Sequence, residues 1–205
     1  MTKRIGIFSG AFDPVHAGHI SFALEAIKKA QLDKVYLLVE PKPRHKPSVS
    51  HIAHRIAMAK LALAPYKNMH VLQFPDQQFS VAKTLPRLKK RFSHDRLVLL
   101  IGSDLIVYIH EWPLINRLLA QVDLVIAIRH DAKATTVNQL ISDLPVIPKD
   151  VSIIQAPLPL ASSGHVRQAT KQNNFAIETL PSLKAYIRDK WLYVSPSDSS
   201  SRSSS

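Results

Sequence analysis

The stretch "GIFSGAFDPVHAGHI", residues 6–20, decides how the chain is read. A short apolar run, Ile5 to Phe8, meets Ser9 and Gly10, which let the backbone turn sharply and leave N–H groups to point outward. A helix is predicted to begin near Val15 or His16. Unpaired N–H groups and the helix dipole at such a terminus attract phosphate. His16 and His19 stand three apart and share a face there, and Gly18 between them permits a close approach. Strand, glycine turn and paired histidines together point to a phosphate site with imidazoles as extra donors. Two other uses stay open: ordinary surface or capping histidines, and a metal pair. Against the metal, Ala17 and Gly18 leave no carboxylate on the adjacent turn, as an H-E-x-x-H zinc site would require. Neither G-x-x-x-x-G-K-[ST] nor G-x-G-x-x-G occurs in the chain.

The same alternation continues downstream. Val35–Val39, Val71–Phe74, Leu97–Ile101, Leu124–Ile128 and Val151–Ile154 are short, branched and without polar alternation, which suits strands covered on both faces. Helical patterns lie between them, over roughly 17–30, 50–64, 80–92, 105–120 and 135–143, and two more follow near 163–171 and 181–191. The order predicts an α/β fold with a doubly wound, mostly parallel sheet and C-terminal helices. Such sheets bind ligands beyond the carboxyl ends of their strands. We expect one domain over residues 1–194 and a disordered Ser-rich tail over 195–205.

A chain of 205 residues, 46% hydrophobic, can bury a sizeable core. Its formal net charge of +12 favours anionic partners, without choosing among nucleotide, nucleic acid and acidic surface. The absence of cysteine excludes disulfides and thiolate chemistry. No segment reaches the roughly 18 apolar residues of a membrane span, and the basic N-terminus is followed by too short an apolar run for a signal peptide. The expectation is a soluble, cytoplasmic protein with no membrane partner.

Other stretches carry candidate chemistry. In "ASSGHVR", residues 161–167, Ser162 and Ser163 are good N-caps for a helix that places Arg167, a phosphate-matching fork, one turn on. The loop "EPKPRHKPSVS" reads as exposed and mobile and brings the cation Lys46 to the mouth of the site. Asp104, just after Gly102 at a strand end, could accept from ribose hydroxyls, lie near magnesium or cap the next helix. Trp112 is either core or a stacking surface. Arg129 ends another strand and is a further nucleotide candidate. His51 and His54 are read as capping and flanking a helix.

"GIFSGAFDPVHAGH" resembles the first motif of the H-x-G-H nucleotidyltransferases, and within them the bacterial nicotinate-nucleotide adenylyltransferases. Their usual form is G-I-F-G-G-T-F-D-P-V-H-x-G-H. "PRHKP" resembles that family's P-P-H-K loop, "LIGSD" with Trp112 its I-G-x-D…W segment, "ASSGHVR" its I-S-S-T-x-I-R, and "LPSLKAYIRDKWLY" its closing helix. The resemblance implies a Rossmann-like nucleotidyltransferase fold and transfer of an adenylyl group from ATP to nicotinic acid mononucleotide, giving deamido-NAD and pyrophosphate. It implies catalytic roles for His16, His19 and Arg167, and ATP contacts at Ser9, Gly10, Phe12, Gly18, Gly102, Asp104, Ser162 and Ser163. Acceptor contacts would fall to Lys46, Trp112 and Arg129. Magnesium would be held mainly by substrate phosphates, with no protein metal site. ATP and a pyridine mononucleotide are the expected partners, nucleic acid is not, and a homo-oligomer is left open.

The chain also departs from that pattern. Ser9 replaces the second glycine of the turn, Ala11 a threonine and Gly164 another threonine, and S-Y-T-x-D-T is blurred to "QFSVAKTL" (78–85). These changes bear on the acceptor. Alternatives are nicotinamide mononucleotide or another phosphorylated acceptor, a cytidylyl transfer, and, from another class, a non-catalytic basic nucleotide- or nucleic-acid-binding protein.

Overall fold

The computed structural model describes residues 2–44, 46, 48–128, 133–155, 160–172 and 174–194. Arg129 and the Ser-rich tail lie outside the described residues.

Among the described residues six strands form one sheet: β1 (Arg4–Gly10), β2 (Lys34–Val39), β3 (Met69–Leu72), β4 (Arg96–Gly102), β5 (Val122–Ile128) and β6 (Val151–Gln155). Their order is β3-β2-β1-β4-β5-β6, and every pairing is parallel. Successive side chains of a strand face opposite ways, and here both faces are apolar. In β4, Leu97, Leu99 and Ile101 enter one core layer while Val98 and Leu100 enter the other. This double burial explains why the strands read as unbroken apolar runs.

The helices are α1 (Ala17–Lys29), α2 (Ile52–Leu63), α3 (Thr84–Arg91), α4 (Ser103–Ile106), α5 (Ile115–Leu119), α6 (Ala134–Ser142), α7 (Ser163–Lys171) and α8 (Pro181–Asp189). One layer packs α1, α2 and α8 residues against the sheet, and the other packs residues of α3 to α6. Chain order reverses between β1 and β4, so the crevice beyond their carboxyl ends is the topological switch point.

Most predicted elements fall within two residues of the observed ones. Three do not. The helix expected over 105–120 is broken into α4, a 3-10 turn at Ile109–Glu111, and α5. Pro113 has no N–H and holds Trp112 extended (φ −71°, ψ 129°), and Leu114 then takes a left-handed φ of 63°. The strand expected at Val71–Phe74 begins and ends earlier, because its ladder with β2 starts at Met69 opposite Val35 and Pro75 follows Phe74. Helix α3 starts at Thr84 rather than 80, after a turn in which the Thr84 N–H reaches the Ser80 carbonyl.

Candidate active site

A cleft of about 580 Å³ opens at the switch point. The end of β1 forms its floor. His16 is the N-cap of α1, and its Nδ1 accepts the Gly18 N–H at 3.2 Å. The Nδ1 of His19 accepts the His16 N–H, also at 3.2 Å. The two rings close a reciprocal capping box in which imidazoles do the work usually given to Ser and Glu. Each Nδ1 lone pair is thereby used, so each ring is neutral with its proton on Nε2. Both rings line the cleft, with centroids 3.7 Å apart. The pair is therefore built as two N–H donors, not as metal ligands.

Phe12 explains how His19 is held. It takes a left-handed φ of 48° and is 2% exposed, which turns its ring under His19 at 5.0 Å in a near-perpendicular contact. Phe8 braces the same imidazole at 5.7 Å. Gly18 is required by space: a Cβ there would stand 2.7 Å from the Ala161 methyl and 3.1 Å from the His16 ring.

The start of α7 closes one side. Ser162 is its N-cap and accepts the His165 N–H, while the Ser163 hydroxyl donates to the Pro14 carbonyl. Arg167 lines the cleft and donates to the Asp13 carbonyl at 2.6 Å. Two α7 side chains thus clamp the helix to the β1–α1 turn. Asp13 is itself buried. Its carboxylate accepts the Tyr193 hydroxyl at 2.6 Å and the Ser50 N–H at 3.1 Å. Burial first, then the Asp13 charge and their hydrogen bond, push the Tyr193 phenol well above its ordinary pKa.

The opposite wall is the loop after β2. It keeps the expected exposure at Lys42, Lys46 and Ser48, but Pro43 is buried and the Lys42 N–H reaches the Gln77 carbonyl, so part of it folds back against the cleft. Its anchor is Arg55, a lone charge on the inward face of α2 and 1% exposed. The guanidinium donates to the carbonyls of Ala11, Glu40, Pro41 and Ser50 at 2.7–2.9 Å. It satisfies buried carbonyls that belong to three separate segments. Glu40 also lines the cleft. Its Oε1 accepts the Ser9 hydroxyl at 2.7 Å and the Phe79 N–H at 3.1 Å. The extra hydroxyl of Ser9 is thus committed to Glu40. Lys46 keeps solvent access at the rim. Partial burial first, and the Arg167 charge second, lower its pKa, against the fields of Asp13, Asp104 and Glu40.

Sequence candidates that the cleft gathers are Ser9, Gly10, Phe12, His16, Gly18, His19, Lys46, Gly102, Asp104, Trp112, Ser162, Ser163 and Arg167. Asp104 is not the cap of α4: Gly102 is, and Asp104 lies in the first turn. His51 caps α2 by accepting the Ala53 N–H, and His54 meets the Tyr186 hydroxyl at 2.9 Å. Sequence reasoning missed Arg55, Glu40, Phe79 and Arg44. A signal existed for Arg55, since 55, 58, 59 and 62 form the apolar stripe of α2 and only 55 is charged. Among the described residues no group of three or more His, Asp or Glu side chains is placed to hold a metal ion, and no helix is long and apolar enough to cross a membrane.

Comparison with known proteins gives three findings. The profile of the cytidylyltransferase-like family matches residues 7–176. The nicotinate-nucleotide adenylyltransferase of Bacillus subtilis (strain 168) is 29% identical over 199 residues, covering 94% of this chain and all of the relative. Among solved structures, the Plasmodium falciparum nicotinic acid mononucleotide adenylyltransferase complexed with NaAD superposes with a TM-score of 0.76 at 18% identity, over 93% of this chain and 97% of that one. That last likeness is one of fold.

Proposed function

The chain belongs to the cytidylyltransferase-like family, and from that premise we infer that it is a nicotinate-nucleotide adenylyltransferase of NAD biosynthesis. It joins ATP to nicotinic acid mononucleotide and releases pyrophosphate. An oxygen of the acceptor's 5′-phosphate forms the new bond to the α-phosphorus of ATP. The bond from that phosphorus to the bridging oxygen of the β-phosphate breaks, and pyrophosphate leaves with the electron pair. The attacking phosphate is already anionic near neutral pH, so the reaction needs positioning and charge stabilisation more than a strong base.

The observation that carries this reading is the capping box of His16 and His19, which engages both Nδ1 atoms and sets both rings in the lining of the cleft at the switch point. Both donate to the reacting phosphates, and no histidine becomes phosphorylated. Gly10, Ser9 and Phe12 shape the turn beneath the nucleotide, and Gly18 lets it approach. Gly102 and Asp104 face the ribose. Arg167 and the start of α7 at Ser162 and Ser163 steady the departing pyrophosphate. Lys46 meets the acceptor phosphate, and Trp112 meets its base. Magnesium would be held mainly by the ATP phosphates and water, with Asp104 as the nearby carboxylate. A hard cation of this kind takes oxygen ligands and water, which fits Asp104 and does not fit imidazoles whose Nε2 is a donor. The ion, when bound, neutralises phosphate charge.

The test is turnover with ATP and magnesium, offering nicotinic acid mononucleotide and nicotinamide mononucleotide separately and reading dinucleotide by mass. Dinucleotide from the acid, with one pyrophosphate each, is expected. Product mainly from the amide would keep the transfer and overturn the acceptor. No product from either would overturn the function.

A further inference from the structure

We propose that Arg44 is the residue that recognises the pyridine carboxylate, and so makes the enzyme prefer the acid over the amide mononucleotide. The proposal rests on the function inferred above. The loop after β2 sends two cations into the cleft, Arg44 and Lys46, and among the described residues neither has an ion-pair partner. Their surroundings differ. Lys46 lies in the combined fields of Arg167, Asp13, Asp104 and Glu40, at the end where the phosphates react. Arg44 lies at the aromatic end, with its guanidinium carbon 5.3 Å from the centroid of the Trp112 ring. Phe79 closes that end, its ring 5.9 Å from the indole.

The acceptor has the matching charge pattern. It carries one anion on its ribose phosphate and a second on its base, with a flat ring bearing the second. The amide mononucleotide lacks the second anion. Among the described residues Arg44 spends one side-chain N–H, on the Phe79 carbonyl at 3.1 Å. A guanidinium has five N–H donors, and a carboxylate accepts from two of them in parallel more strongly than a single carbonyl does. Glu40, the nearby carboxylate, has its Oε1 taken by Ser9 and the Phe79 N–H. The pyridine ring takes the guanidinium's place on the indole face, and its carboxylate holds the guanidinium at the rim.

The experiment measures kcat and KM for both mononucleotides with saturating MgATP, in the wild type, Arg44→Met and Arg44→Lys. For the acid, Arg44→Met is expected to lower kcat/KM roughly 30- to 100-fold, chiefly through KM, as for loss of a charge-assisted pair. The amide should lose much less, so that the acid-to-amide ratio falls at least about tenfold. Arg44→Lys should recover part of the ratio, since it restores charge without the fork. Equal losses for both acceptors would mean a merely structural residue and would overturn the proposal. A ratio that stays within about threefold of wild type would do the same. A wild type that makes no dinucleotide from either acceptor would sink the enzymatic reading itself, and this one with it.

Discussion

At the phosphate end of the cleft, the reacting groups are fixed by backbone. His16 and His19 are each pinned through Nδ1 by a main-chain N–H, Phe12 packs against His19, and Ser163 and Arg167 tie α7 to the carbonyls of Pro14 and Asp13. At the base end, Arg44 is a long side chain on a loop, and among the described residues its side chain donates only to a single carbonyl, that of Phe79. The contrast follows from what each end must do. Stabilising charge in a transition state requires donors that do not reorganise. Admitting and checking an acceptor tolerates side chains that move, because selectivity is a difference between two affinities. Arg55 joins the two ends, since it holds Ala11 of the floor and Glu40 and Pro41 of the loop at once.

The contrast can be broken most directly at the rigid end. His19→Ala removes a transition-state donor and one half of the capping box. It is expected to lower kcat by about two to three orders of magnitude, as for other lost donors of this kind. KM for either substrate should change far less. A variant within tenfold of wild type in kcat would remove His19 from the chemistry.

A second cut goes through the link. Arg55→Met keeps the apolar stem and strands four carbonyls. We expect about 3 kcal/mol of lost stability in urea unfolding, since each unsatisfied buried carbonyl costs about 1–3 kcal/mol and the site relaxes in part. Loss of activity should accompany it even where the variant is folded, because the loop no longer registers against the floor. A stability change under about 1 kcal/mol would show that water replaces the guanidinium and that the two ends are built independently.

How much of this was legible in the sequence also divides along the two ends. The floor was legible because its features are local: a strand, a tight turn, and two histidines at i and i+3 within fifteen residues. The sheet was legible because double burial writes unbroken apolar runs. The loop side was not. Arg44, Glu40 and Phe79 meet across 35 to 39 residues of chain, and nothing in a proline-rich basic stretch shows that it folds inward. The long helix expected over 105–120 failed for a related reason. Its apolar spacing is real, but Pro113 breaks it, and the fragments still bury Ile106, Ile109, Ile115 and Leu118. Tyr193, placed 180 residues from the Asp13 it touches, left no trace that spacing could reveal.

The finest test of the contrast is the pH response of the loop. Lys46 has a pKa below the ordinary lysine value of 10.5, through partial burial first and Arg167 second. The charged form is the one that binds phosphate. As pH rises through the lowered pKa, the ammonium is lost and acceptor affinity falls, sooner than an ordinary lysine would cause. The acceptor's own phosphate completes its ionisation near pH 6 and does not interfere. The alkaline limb should appear in kcat/KM for the mononucleotide, which reports groups of the free enzyme, and should be weaker in kcat. Because Lys46 keeps solvent access, the drop should be modest, up to about fivefold. Lys46→Arg stays charged throughout and should flatten the limb. If Lys46→Arg keeps the alkaline limb unchanged, the cation that titrates is not on the loop, and the assignment of phosphate binding to Lys46 is wrong.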